Sequence, residues 1–231
     1  MSEFLEHSAF FGVAISLCAY GLGTALQKRF KKCPLFNPLL ISAVLIIALL
    51  TAAHIDYEVY NAGAKYLSYL LTPATVCLAV PLYEKLALLR RNAAAVLAGV
   101  LAGVITTLVS VLLLAAVFGL SHGEYVTLLP KSITTAIGMG VSEELGGHVT
   151  VTVAAIIATG LIGNMIAPGL CRLLRITDPV AKGVAIGTAS HAMGTARAME
   201  MGETEGAMSS LAIVVSGVLT VAGASIFANF L

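Results

Sequence analysis

Long apolar runs separated by short charged loops dominate the sequence. Five of these runs are rich in Ala, Leu, Ile and Val and are long enough to cross a bilayer core, for which an α-helix needs about 20 residues. They predict membrane-spanning helices over residues 8–27, 38–55, 92–120, 149–171 and 207–231.

Three further stretches are apolar but interrupted, over residues 61–83, 127–147 and 179–200. The interruptions are Pro73 in the first, Gly138 and Gly140 in the second, and Gly187 and Gly194 in the third. Hydrocarbon offers no hydrogen-bond partner to a freed backbone amide, so irregular backbone at membrane depth must be buried in protein or line a wet cavity. These stretches therefore predict helices broken near their middles, or re-entrant loops.

The composition agrees with a membrane protein and excludes other classes. Of 231 residues, 58% are hydrophobic and 11% charged, against roughly 45–50% and 25% in soluble domains. A net charge of +1 leaves no basic face for nucleic acid. The four cysteines are scattered and form no CxxC, so we expect neither a metal site nor a disulfide framework, and no cofactor motif is present. The acidic start, MSEFLEHSAFFG, differs from the basic start of a signal peptide, so the first apolar run is predicted to be retained.

Lys and Arg cluster beside the apolar runs, and short loops rich in these residues stay in the cytoplasm. The clusters are Lys28, Arg29, Lys31 and Lys32; Lys85, Arg90 and Arg91; and Arg172, Arg175 and Lys182. All three lie on the cytoplasmic side if residues 127–147 dip into the membrane and return to the outer face. This predicts an extracytoplasmic N-terminus, a re-entrant segment over 127–147 and a cytoplasmic C-terminus. It places Glu124 and the acidic loop 200–205 outside.

This threading predicts an inverted repeat within a single integral membrane domain. Residues 38–120 and 149–231 each hold two spans around an interrupted middle element, and the two triplets run in opposite directions. Matched interrupted helices in inverted repeats are typical of secondary transporters, whose substrate site lies near the bilayer midplane. The simpler alternative is that Gly and Pro are merely common in transmembrane helices.

The second interrupted stretch carries a candidate anion site. Pro130 can open a helix whose first turn holds Ser132, Thr134 and Thr135, and the free amides and positive dipole end of such a turn attract a carboxylate. Lys131 would add a charge. The structural alternatives are a Lys131 that reaches to the outer interface and hydroxyls that cap their own backbone.

In the same stretch, Gly138 and Gly140 would let the chain turn back. Ser142 with Glu143 would then cap a returning helix.

The third interrupted stretch offers a second half of that site. Thr188, Ser190, His191 and Thr195 lie around the glycines, and Arg197 follows three residues after Gly194. His191 is the candidate proton carrier, because its ordinary pKa lies near neutral pH. Each residue also has a structural alternative, because His191 could simply bond a backbone carbonyl and Arg197 could pair with Glu200 or Glu203. We expect both halves to meet near the midplane around one monocarboxylate.

Catalysis has little support in the sequence. Ser190 and His191 are adjacent, and neighbours on a helix point about 100° apart, so they make a poor nucleophile and base pair. No HExxH, nucleophile elbow or phosphate loop is present, so we predict no enzyme and no catalytic residue. The GxxxG pairs at 99–103 and 183–187 predict close helix packing, within the fold or with a partner.

Several segments together resemble one family of membrane proteins. The stretches LLPKSITTAIGM, GVAIGTASHAMGTARAME and GETEGAMSSLA, with FNPLL and PLYEKL, closely resemble the LrgB/CidB family of bacterial inner-membrane proteins over nearly the whole chain. The family commonly reads PKSVTTPIAM, whereas this chain has Ala136 in place of that proline and Gly138 in place of the alanine. A hinge at this point would then depend on glycine.

The resemblance implies two functions. One is holin- or antiholin-like control of murein hydrolase export and autolysis, together with a small LrgA/CidA-like membrane protein. The other is movement of a small 2-hydroxy or 2-oxo monocarboxylate such as glycolate, glycerate or pyruvate. Two hydroxyl-rich breaks aimed at an anion favour the carrier, because a holin needs only helices that associate into a lesion.

Overall fold

The computed structural model describes residues 10–30, 36–70, 73, 76–77 and 79–231, and over these it is helical with no strand, which confirms the all-α prediction. The helices are α1 (Phe11–Arg29), α2 (Pro38–Ala52), α3 (Tyr57–Ser68), α4 (Ala79–Glu84), α5 (Leu86–Phe118), α6 (His122–Leu128), α7 (Thr135–Glu144), α8 (Val149–Leu173), α9 (Pro179–Met201) and α10 (Glu203–Phe227), followed by a short 3₁₀ turn (Ala228–Phe230).

Each of the five predicted spans is helical over most of its described residues. Three described helices are long and apolar enough to cross a membrane, over Arg90–Phe118, Val149–Leu173 and Glu203–Phe230. The apolar helix α2 is shorter. In the first interrupted stretch α3 ends at Ser68 and α4 begins at Ala79, while residues 71–72, 74–75 and 78, which flank the predicted break at Pro73, lie outside the described residues.

The chain forms two compact units, residues 1–77 and 78–231. In the first, α1 packs on α2 and α3 through glycines, with Gly12 against the backbone of Tyr60 and Gly23 against Pro38. Asn37 caps α2, its side-chain oxygen accepting from Leu39 N at 2.9 Å. The boundary at 77 falls inside the predicted repeat 38–120, and that repeat stays a prediction.

In the second unit one face of α5 packs into the core. Its buried residues recur every three or four positions, which places them on one side of the helix; they are Val96, Val100, Val104, Leu108, Val111 and Ala115. Beside this stripe, Gly99 lies against Val184 and Gly103 against the methyl of Thr188. Both GxxxG pairs therefore pack within the fold, since Gly183 lies against Glu205 and Gly187 against Ser209.

Helix α9 doubles back on itself instead of crossing the bundle. Gly183 lies against Glu205 and Met199 lies against Gly206, although sixteen positions of straight helix would separate Gly183 from Met199 by about 24 Å. Gly187 and Thr195 likewise both contact Ser209. We call residues 179–201 hairpin 2, with an inbound arm 179–189 and an outbound arm 192–201.

The segment 127–148 also returns to its starting point, and we call it hairpin 1. Thr127 Oγ1 accepts from His148 N at 2.7 Å, which joins the two ends of the segment. The Thr152 hydroxyl lies 2.9 Å from the Thr127 carbonyl oxygen and 2.7 Å from Ser142 Oγ. Hairpin 1 is thus tied at its base to the first turn of α8.

The two hairpins enter the bundle from opposite ends. At one end Lys85 pairs with Glu203 at 3.0 Å, and Lys182 with Glu205 at 3.8 Å; we call this the basic end. At the other, His122 Nδ1 lies 2.7 Å from the Leu231 carbonyl oxygen, beside the base of hairpin 1.

These contacts correct the predicted threading. The acidic loop 200–205 was assigned to the side opposite Lys85 and Lys182, yet it is bonded to both. The C-terminal residues were assigned to the side opposite Glu124, yet Tyr125 OH donates to the Phe227 carbonyl oxygen at 2.9 Å. The physical reason is that residues 179–201 reverse direction, so α10 runs the opposite way from the prediction.

Candidate functional site

The two hairpins reach the same part of α8. Ile156 touches both, because its Cδ1 lies against Gly138 of hairpin 1 and its carbonyl oxygen is 3.0 Å from His191 Nε2 of hairpin 2. Further along α8, Gly160 faces His191, and Gly163 faces Ser190. A side chain at either glycine would collide with hairpin 2, so these positions leave room for its tip.

The backbone of hairpin 1 differs from the prediction in detail. Pro130 opens no helix, because residues 129–132 form turns and α7 begins only at Thr135, with Thr134 as its N-cap. Gly138 and Gly140 lie inside α7 and make no hinge. The break falls earlier because the chain must turn before the helix can return to its base.

Ser142 is also placed differently. It is buried within α7 and bonds Thr152 across to α8, so it does not cap a returning helix.

The predicted ligands of hairpin 1 lie at the start of α7. Ser132 is buried and Lys131 is half-buried, with Lys131 Nζ donating to Ser132 Oγ at 3.1 Å. Thr134 and Thr135 are half-buried at the helix N-terminus, where the first amides have no acceptor within the helix and the dipole end is positive. This region can accept negative charge.

Hairpin 2 reverses at Ser190 and His191. Ser190 has φ −135° and ψ 15°, and His191 has φ 42° and ψ −141°, both outside the helical region. The predicted break in residues 179–200 is therefore present, but it is centred on these two residues and not on the glycines. Gly187 and Gly194 instead allow close packing, Gly187 over the Ser209 backbone and Gly194 over Ser190.

The polar side chains at this tip differ in whether they already have hydrogen-bond partners within the protein. Thr195 is fully buried, its Oγ1 3.0 Å from the His191 carbonyl oxygen and 2.6 Å from Ser209 Oγ, so its hydroxyl is already used in packing. His191 Nε2 carries the hydrogen toward Ile156, since a carbonyl oxygen can only accept. Thr188 Oγ1 is the one buried side-chain oxygen or nitrogen of the described residues with no hydrogen-bond partner.

Arg197 lies away from the tip. It forms an ion pair with Glu200 toward the open end of the hairpin, which is one of the structural alternatives raised by the sequence. Hairpin 2 thus brings Thr188, Ser190, His191 and Thr195 together around its tip but leaves Arg197 outside that group.

Two polar residues that were not predicted from the sequence support this tip. Asn164 Nδ2, in the middle of α8, donates to the Met193 carbonyl oxygen at 2.7 Å. Ser209 bonds Thr195 from α10. The available signal was a polar residue inside each apolar run, because such residues at membrane depth need a partner.

The known proteins to which the chain is similar are LrgB-like proteins. A model of the LrgB-like family matches residues 16–230. The chain is 39% identical to an antiholin-like protein LrgB of Bacillus mycoides (strain KBAB4) over 222 residues, which cover 96% of each protein. It is 38% identical, with the same coverage, to proteins of that name from Bacillus cereus (strain B4264) and Bacillus anthracis (strain CDC 684 / NRRL 3495). No solved structure matches significantly.

Proposed function

The chain belongs to the LrgB-like family, and we propose that it carries a small monocarboxylate, a 2-hydroxy or 2-oxo acid such as glycolate, glycerate or pyruvate, across the bacterial inner membrane. One observation carries this proposal: two hairpins enter from opposite ends of the bundle and both contact Ile156. Interrupted elements that converge near the midplane are where secondary transporters bind substrate.

The electrostatics of this region support an anionic substrate. Helix α7 begins at Thr135, and the outbound helical arm of hairpin 2 begins after His191. Each presents free amides and the positive end of a helix dipole. Two such ends near one point stabilise a carboxylate without a buried charged side chain, with Lys131 as a further positive charge.

An inverted repeat fits this arrangement. We pair α5 and hairpin 1 with α8 and hairpin 2, because each long helix is followed by a hairpin at the end where it finishes. This pairing differs from the predicted repeat of 38–120 with 149–231, in which hairpin 2 corresponded to residues 61–83. Each hairpin then closes the site from one side of the membrane, as alternating access requires.

The basic end is assigned to the cytoplasm. Lys85, Arg90 and Arg172 lie at or near it, and positive loops are retained there. The C-terminal residues and the loop before His122 are then extracytoplasmic together. Reporter fusions after residue 120 and after residue 231 should give the same sidedness, and opposite sidedness would contradict the fold.

The partner expected from the family resemblance is a small LrgA/CidA-like membrane protein. We propose that the two act together, so transport should be assayed with and without it. Uptake of labelled glycolate, pyruvate and lactate into proteoliposomes tests the function directly, and no uptake of any of them under either condition would refute it.

Substitutions at the hairpins locate the site within such an assay. Thr135→Val and Ser190→Ala should each weaken uptake about ten- to hundredfold, the effect of losing one hydrogen bond to a charged group. Matched controls are Thr106→Val and Ser225→Ala, whose hydroxyls are exposed and bond only backbone carbonyls of their own helices. Equal losses in controls and site variants would argue against a local site.

The alternative function is holin- or antiholin-like control of murein hydrolase export and autolysis, which the name of the Bacillus relatives, antiholin-like protein LrgB, favours. It predicts that Thr135→Val and Ser190→Ala leave a lysis phenotype unchanged. A substitution in the GxxxG pair, such as Gly99→Leu, does not distinguish the two functions. Gly99 packs against Val184 within the chain, so a larger residue would disturb the fold under either function.

A further inference from the structure

The hydroxyl of Thr188 is buried with no partner. The residue is 5% exposed, and its Oγ1 has no hydrogen-bond partner in the described structure. A buried polar group left without a hydrogen bond is unfavourable, and native proteins seldom retain one without a reason. A ligand that supplies the missing partner is such a reason.

Packing orients this side chain. The methyl group of Thr188 lies against Gly103 of α5, where a Cβ would come within 2.7 Å of it. The threonine hydroxyl and methyl project from the same Cβ in different directions, so the hydroxyl cannot occupy the contact with Gly103. Because Gly103 has no side chain, the methyl fills that space and the hydroxyl is directed elsewhere within the buried region.

The local charge argues against a carboxylate as its partner. Thr188 lies in the last turn of the inbound arm, where the helix dipole is negative. The outbound arm, two residues beyond Ser190, begins with its positive end. At the tip of hairpin 2, the negative end of the inbound arm, which repels an anion, therefore lies beside the positive end of the outbound arm, which attracts one.

A 2-hydroxy acid matches this pair of poles. Its carboxylate suits the amides at the start of the outbound arm and of α7, and its neutral hydroxyl suits the negative end of the inbound arm. We propose that Thr188 is the specificity-determining residue that binds the 2-oxygen of the substrate and selects 2-hydroxy acids over unsubstituted ones. This inference rests on the proposed transport function.

Competition in proteoliposomes tests the inference, with unlabelled glycolate or acetate competing against labelled glycolate. The wild-type protein should prefer glycolate over acetate about ten- to hundredfold. Thr188→Val keeps the methyl group and replaces the hydroxyl with a second methyl group, so we expect glycolate to lose most of its advantage over acetate as a competitor. Thr188→Ser keeps the hydroxyl and should retain the preference.

Thr106→Val makes the same change at an exposed threonine of α5 and should alter competition by neither glycolate nor acetate. If Thr188→Val weakens glycolate and acetate equally, or if the wild type does not distinguish them, the specificity role is wrong while transport stands. If the wild type transports neither acid nor the related pyruvate and lactate, the proposed function itself fails. Should Thr188→Val not insert into membranes, Thr188→Ala removes the same hydroxyl and should lose the same preference for glycolate over acetate; an unchanged preference in Thr188→Ala would refute the specificity role.

Discussion

Hairpin 1 and hairpin 2 solve the same problem by different means. Both take the chain to the middle of the bundle and back, but hairpin 1 does so with a coil and one helix, whereas hairpin 2 uses two helical arms. Hairpin 1 is tied by hydroxyl groups at its base, around Thr127 and Thr152. Hairpin 2 is held mainly by glycine contacts with α10 and α8, and by side-chain bonds to the backbone at its tip.

The difference shows what each hairpin requires from the sequence. A coil exposes backbone polar groups, so hairpin 1 needs hydroxyl partners close to its ends. Two helical arms satisfy their own backbone, so hairpin 2 needs small residues that let the arms approach neighbouring helices. Hairpin 2 should therefore be more sensitive to added volume, and hairpin 1 to lost hydroxyls.

The largest effect is expected from adding a methyl group to hairpin 2. Gly187→Ala would force a Cβ against the backbone oxygen of Ser209, which cannot move without displacing α10. We expect a loss of about 3 kcal/mol in the free energy of unfolding, at the upper end for overpacking. Gly138→Ala in hairpin 1 meets only the end of the Ile156 side chain and should cost about 1 kcal/mol or less.

Denaturant unfolding in detergent micelles would measure both. Gly169→Ala in α8 is the control, because nothing lies within 4 Å of a Cβ there, and it should gain about 0.5–1 kcal/mol. Equal losses at Gly187 and Gly138 would remove the distinction between the two hairpins.

A smaller effect is expected from removing the hydroxyl at the base of hairpin 1. Thr152→Val leaves Ser142 Oγ and the Thr127 carbonyl oxygen without this buried partner. The free energy of unfolding should fall by about 1–3 kcal/mol, and the loop 145–148 should become more sensitive to protease. Thr106→Val, on an exposed face, should change neither. An unchanged loop in Thr152→Val would mean that the hydroxyl cluster does not hold the hairpin.

The ion pair at the base of hairpin 2 should contribute less. Lys182 and Glu205 are mostly buried but 3.8 Å apart, so a double-mutant cycle of Lys182→Met and Glu205→Gln should give a coupling of about 0.5–1 kcal/mol. The coupling should weaken as salt increases. The Lys85–Glu203 pair, whose glutamate side chain is 84% exposed, should give a coupling of a few tenths of a kcal/mol at most. A larger coupling there than at Lys182 would contradict this ranking.

The smallest effect concerns pH at the start of α6, next to hairpin 1. Hydrogen bonds from the side chain and backbone of Ser121 lower the pKa of Glu124 below its ordinary value of 4.5. A lowered pKa in the folded state means that this contribution is present above the ordinary value and is lost as pH falls through the folded pKa. Melting curves between about pH 6 and pH 3 should show a slightly smaller acid loss in Glu124→Gln. An identical acid dependence in both proteins would exclude a role for this capping box.

Local patterns in the sequence were sufficient for some features of the site. The interrupted stretches 127–147 and 179–200 predicted two breaks. Pro, Gly and hydroxyl residues at membrane depth indicate irregular backbone, which must be buried in protein or line a wet cavity. The re-entrant path of the first followed from the requirement that basic loops share one side. The same reasoning failed at 179–200, because a break that kinks a spanning helix and a break that reverses it have the same composition.

By itself, then, the sequence determined that this is an all-helical membrane protein, where its three long apolar helices lie and which stretches are interrupted by polar residues. These depend on apolar run length and on the cost of unpaired amides, which are local quantities. The tertiary structure alone decided that hairpin 2 turns at Ser190 and His191, that the C-terminal residues lie beside His122, and that Ile156 touches both hairpins. Those outcomes depend on which glycine meets which neighbour, and such packing between distant segments leaves no periodic trace along the chain.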